Sequence, residues 1–179
     1  MLNAEETLLI EIDIQGKLAD AMEHPEALFE NVRRLALSAR ELSIPLLVSE
    51  QLPDKLGPTR EELSDALSHG TLLSKSAFSC CGDPDMVSAI KQSGKKQILL
   101  CGIEAHICIL QTALDLIENG FEVFIAADAV SSRDPENKRL ALERMRQHGA
   151  EIVVTESVLF EWLRDAAHPA FREVRKFLG

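Results

Sequence analysis

The chain has 179 residues, of which 46% are hydrophobic, 4% aromatic and 27% charged, with a formal net charge of −10. That is enough apolar material for a single domain spanning residues 1–179, and no run approaches the ~18 apolar residues of a membrane span. The acidic balance argues against a nucleic-acid partner, which needs a concentrated basic surface, and Arg33-Arg34 and Lys95-Lys96 read as solvated faces.

The first ten residues hold two glutamates and no basic cluster, unlike a secretory signal or a transit peptide, so a cytoplasmic protein is expected. Thr7 to Asp13 (TLLIEID) reads as a central strand ending in a carboxylate, where open α/β sheets present their ligand crevice. A polar connection follows from Gln15 to His24. Pro25 then opens a helix over roughly Glu26 to Leu42, with Leu28, Val32, Leu35 and Leu42 on its buried stripe. Ile44 to Ser49 is the second strand, and Glu50 to Pro58 a loop. Thr59 is the expected N-cap of a short helix through Leu67.

Thr71 to Ser74 is a short extended piece delivering Lys75. Asp83-Pro84 opens a helix to about Ser93 that faces Met86, Val87 and Ile90 inward. Gln97 to Cys101 is a continuous apolar run suited to a strand buried on both faces, and Gly102 is read as a sharp turn. From Ala105 the period changes, with Ile107, Leu110, Leu114 and Ile117 on one helical face, up to Asn119-Gly120. Phe121 to Ala127 is a further strand, ending at Asp128. A polar turn from Ser131 to Asp134 leads into a helix from Pro135 to His148, then a strand from Glu151 to Val154. Two short helices end the chain, about Ser157 to Asp165 and Pro169 to Phe177. Trp162 in the first is expected to pack on the sheet or a partner subunit. Alternating strands and helices predict one doubly wound α/β domain, a mostly parallel five- or six-stranded sheet with helices on both faces.

Cys80, Cys81, Cys101 and Cys108 show neither a CxxC pair nor zinc spacing with histidine, and read as free thiols, Cys101 as core. Cys108 falls in the first turn of a helix, where unpaired N–H groups favour a thiolate over a thiol. Asp13, Lys75 and Cys108 can all lie at the carboxyl edge of the sheet. Together they have a chemical logic: an acid to take the thiol proton, an ammonium to steady the sulfur anion, and helix-start amides as an oxyanion hole. Cys80 and Cys81, close in sequence to Lys75, are candidates for oxidation.

The separated stretches IEIDIQ, EQLPDKLGPT, LLSKSAFS, LLCGIEAHICIL, AADAVSSR, ALERMRQHGAE and DAAHPAF occur in the order found in the isochorismatase-like hydrolase superfamily. The chain resembles that superfamily nearly end to end, in particular its small isochorismatase-domain proteins. The resemblance implies a catalytic triad of Asp13, Lys75 and Cys108, and a cis peptide between Ile103 and Glu104 in an oxyanion turn Ile103-Glu104-Ala105. It implies a hydrolase acting on a small-molecule amide, ester or related C–N bond through a thioester-type intermediate, and a homo-oligomer. Where metal-holding members carry Asp-x-His, this chain has Ser49-Glu50-Gln51, so no metal and no other cofactor is expected. Leu18 stands where many members have Phe, and Cys80-Cys81 replaces the usual Ala-Phe, so the pocket is reshaped. Its further candidate lining is Gln15, Leu18, Glu50, Gln51, Phe78 and His106, with Asp128 and Arg133 stiffening a turn. The alternative is a scaffold that keeps the fold with little turnover.

Overall fold

The computed structural model describes residues 1–178. Its strands are β1 (Thr7–Ile12), β2 (Leu46–Gln51), β3 (Thr71–Lys75), β4 (Gln97–Ile103), β5 (Glu122–Ser131) and β6 (Glu151–Val153). All pair in parallel, in the order β3-β2-β1-β4-β5-β6, which settles the sheet at six strands. β1, β2 and β4 are buried along their whole length, as strands covered on both faces must be.

The helices are α1 (Gly16–Asp20), α2 (Pro25–Glu41), α3 (Pro53–Leu56), α4 (Ser64–Leu67), α5 (Pro84–Gln92), α6 (Leu110–Glu118), α7 (Pro135–Gln147), α8 (Thr155–Leu163) and α9 (Phe171–Lys176). Strand alternation divides the core in two. Leu9, Val48, Leu99 and Phe124 pack with Leu28, Val32 and Leu35 of α2 and with Val158, Trp162 and Val174 of α8 and α9. Ile10, Leu47, Leu100 and Ile125 pack with Met86, Leu110, Ala113 and Met145 of α5, α6 and α7. Trp162 packs on the sheet, its Nε1 donating to Thr7 Oγ1 at 3.3 Å. The strand order reverses between β1 and β4, and a ligand crevice opens at the carboxyl ends on either side of such a reversal. No described helix is long and apolar enough to cross a membrane.

Several local expectations are corrected. The connection after β1 contains α1. Glu50 and Gln51 complete β2 instead of starting a loop. Thr59 caps no helix: its N–H and hydroxyl both donate to the Glu50 carboxylate, and Arg60 precedes the 3-10 turn that leads into α4. Asp83 does cap α5, accepting from the N–H groups of Asp85 and Met86. β5 runs on past Asp128 to Ser131 through a shift in its pairing with β4, and Asp128 caps α8 by accepting from Thr155 N–H and Oγ1.

Gly102 is not a turn. It lies inside β4 at φ +131°, where a Cβ would come within 2.2 Å of the Ile12 carbonyl oxygen, so the absent side chain lets β1 and β4 close together beside Asp13. The turn falls at Glu104, left-handed at φ +54°. No peptide bond among the described residues is cis, so the Ile103–Glu104 expectation is overturned. Next comes a single π-helical turn, Ala105–Ile109, which runs into α6. Its extra residue shifts the phase: Ile109, Leu110, Ala113 and Leu116 are buried, while Ile107, Leu114 and Ile117 are only partly so.

Candidate active site

Asp13 follows β1, Lys75 ends β3 and Cys108 sits in the π turn after β4. Parallel strands bring all three to the same edge. Lys75 is fully buried at its side chain and donates from Nζ to Asp13 Oδ2 at 2.7 Å, to Gln51 Oε1 at 2.9 Å and to the Phe78 carbonyl at 3.2 Å. Those are all three donors of an ammonium. Ser49 Oγ donates to the other Asp13 oxygen at 2.7 Å, and Asp13 N–H donates to Ser49 O at 3.1 Å. The Asp13 carboxylate therefore meets an ammonium on one oxygen and a hydroxyl on the other.

Cys108 is 7% exposed, and burial with the Asp13 charge pushes its thiol up to about 12, while Lys75 pulls the other way. Burial and the Asp13 charge thus work against the thiolate that a helix start would favour. Cys80, fully buried, is likewise pushed up to about 12, Cys81 to about 11, and Cys101 well above its ordinary value, all through burial. Of the two oxidation candidates, Cys80 is buried and Cys81 partly exposed.

Asp13 and Cys108 line a cavity of about 180 Å³ whose apolar walls include Leu18, Leu56, Phe78, Ile103 and Ile107. Gln51, Glu104 and Arg133 complete it. Of the residues singled out from sequence, Leu18, Gln51, Phe78, Ile103 and Glu104 therefore line the cavity. Gln15 does not. It is fully buried behind it, donating to the carbonyls of Gln51 and Gly57 and accepting from Gln51 N–H. Glu50 is turned away onto Thr59, Ala105 is buried, and His106 contacts Ser132 Oγ at 3.0 Å outside the lining. Arg133 ion-pairs with Glu104 and so braces the turn before Cys108 as well as lining the cavity. Ser49, Leu56 and Ile107 as a wall residue escaped sequence reading. The serine was read only as standing where metal-holding members carry Asp, and the two apolar side chains looked like loop and core.

The residues at the end of β2 do not fit a metal: Ser49 is spent on Asp13, Glu50 on Thr59, and Gln51 on Lys75 and the Ser76 carbonyl. Among the described residues no group of three or more His, Cys, Asp or Glu side chains is arranged to hold a metal ion.

Residues 7–157 match the family profile described as Isochorismatase domain. Isochorismatase domain-containing protein 2 of Danio rerio is 39% identical over 179 residues, covering 99% of this chain and 89% of the relative. Isochorismatase family protein 1B of Dictyostelium discoideum is 37% identical over 175 residues, 95% of this chain and 84% of the relative. Among solved structures, one described as MAR1 ribonuclease from Caenorhabditis elegans superposes with a TM-score of 0.93 at 35% identity, covering 99% of this chain and 91% of that one. YcaC from Pseudomonas aeruginosa, with hexane-2,5-diol and covalent acrylamide, gives 0.88 at 26% identity over 99% and 96%.

Proposed function

The chain belongs to the isochorismatase domain family, and on that premise we propose that it is a cysteine hydrolase opening an amide, ester or related C–N bond of a small molecule through Asp13, Lys75 and Cys108. The observation that carries this reading is the buried Asp13–Lys75 ion pair, with Asp13 and Cys108 lining one cavity with apolar walls. Asp13 takes the thiol proton as Sγ bonds to the substrate carbonyl carbon, and the carbonyl electron pair moves onto oxygen. Backbone N–H groups at the head of the helix receive that oxyanion; Ile107 N–H is excluded because it donates to the Glu104 carbonyl at 2.8 Å. The leaving nitrogen or oxygen takes the proton from Asp13, leaving a thioester. Water then gives a proton back to Asp13, attacks the thioester carbon, and breaks the C–S bond; the sulfur is reprotonated. No step needs a metal. The setting proposed is cytoplasmic, with the protein as a homo-oligomer.

A screen over small amides, ureides and esters should yield a substrate whose turnover Cys108→Ala abolishes without changing the melting temperature. Substoichiometric iodoacetamide should label Cys108 first by mass spectrometry. Equal labelling of Cys80, Cys81, Cys101 and Cys108 would sink the mechanism. RNA is the competing substrate class, because a structural neighbour is described as a ribonuclease. The net charge of −10 and a cavity of about 180 Å³ favour the small molecule. Single-stranded RNA incubated with the protein should remain intact, and cleavage lost in Cys108→Ala would replace this reading.

A further inference from the structure

Glu11 stands on β1 two residues before Asp13, on the face covered by α2. It lies in register between Val48 of β2 and Cys101 of β4. It is fully buried; its Oε1 accepts the Ile14 N–H at 2.9 Å, and its Oε2 has no hydrogen-bond partner. The charged and titratable groups around it are Asp13 at the end of its own strand, Glu50 from β2, Lys75 from β3 and Cys101 from β4. The buried residues of α2 are all uncharged. Lys75, the only cation of that set, has its three donors committed to Asp13, Gln51 and Phe78. A carboxylate here would add an unpaired buried anion, whereas a neutral acid does not. Burial accordingly pushes the Glu11 carboxyl up to about 8.

The bond to Ile14 straddles Asp13. Asp13 has φ +60°, a left-handed conformation that breaks the strand alternation and turns its carboxylate toward Ser49 and Lys75. A conformation of this kind persists only where its surroundings over-determine it. Here the Ser49 carbonyl holds the Asp13 N–H from β2, and the Glu11 carboxyl holds the next N–H from behind. We propose that Glu11 is a positioning residue of the site: its buried carboxyl accepts the Ile14 N–H and locks the turn that aims the Asp13 carboxylate at Lys75 and Cys108. Deleting that acceptor then disables the base without touching a reacting atom.

The inference rests on Asp13 being the base for Cys108, and the test keeps the two apart. Acrylamide is the probe: Sγ bonds to its terminal carbon, the thiol proton passes to Asp13, and the carbon next to the amide gains a proton. Adduct formation at Cys108 is followed by intact-mass spectrometry for the full chain, with melting temperatures in parallel. Glu11→Gln keeps the acceptor oxygen and should label at wild-type rate near pH 7. Glu11→Met, folded with an unreduced melting temperature, should label about tenfold more slowly near pH 7, within the range for lost supporting contacts. A Glu11→Met variant that melts as high and labels as fast as wild type overturns the proposal, as does a Glu11→Gln variant that labels as slowly as Glu11→Met. Asp13→Asn should lose labelling near pH 7. If it does not, the mechanism falls and not merely the role of Glu11.

Discussion

Because Lys75 spends its three N–H groups on Asp13, Gln51 and the Phe78 carbonyl, it acts on Cys108 through charge rather than contact. Its structural debt is to Asp13: removing it leaves a 3%-exposed carboxylate uncompensated. Lys75→Met should therefore cost about 3–5 kcal/mol in urea unfolding, and adding Asp13→Asn should restore most of it. An additive double mutant would show that the pair is not coupled. Glu11 carries a pH signature of its own. Its acid is bound more tightly in the folded state, about 8, than its ordinary 4.5. Between those values the folded chain holds a proton the unfolded chain has lost, so stability is greatest below the lower value and falls as pH rises toward the higher. Wild type should lose stability against Glu11→Gln across that window, with a slope approaching about 1.4 kcal/mol per pH unit. Parallel stability curves would show that Glu11 does not hold its proton.

At the scale of elements, the site depends on β1 and β4 ending side by side. Gly102 makes that possible, since its missing Cβ is where the Ile12 backbone lies. Gly102→Ala should destabilise by about 2 kcal/mol or more, through backbone clash and an unfavourable φ, and should slow Cys108 labelling as well. Wild-type-like unfolding of this variant would refute the close approach. Much of this level was legible in the sequence. Apolar runs marked β1, β2 and β4, Asp83-Pro84 marked the start of α5, and motif order placed Asp13, Lys75 and Cys108. Three features were not legible, each for a physical reason. The π turn adds one residue to a helix without changing its composition, so the buried stripe of α6 was read out of phase. The roles of Gln15 and Glu50 were decided by contacts 36 and 9 residues away. The upward push on the Cys108 thiol comes first from burial, and the strength of burial is a tertiary property.

At the scale of the molecule, β3 is, with β6, one of the two edge strands of the sheet. Its residues are TLLSK, with Leu72 and, just beyond the strand, Phe78 each 55% exposed, and its only charged residue, Lys75, is turned inward. Exposed edges are ordinarily guarded by outward charges or covered by another chain. Light scattering after size exclusion should accordingly give a multiple of 19.8 kDa, and Leu72→Glu should lower it. A wild-type monomer at micromolar concentration would refute the homo-oligomer. The same strand also ends in the ammonium that holds Asp13, and it is paired on one side only, to β2. Peeling this margin away strands an anion in the interior while the remaining five strands stay stitched. Heat should silence the protein before it melts it, from the rim inward.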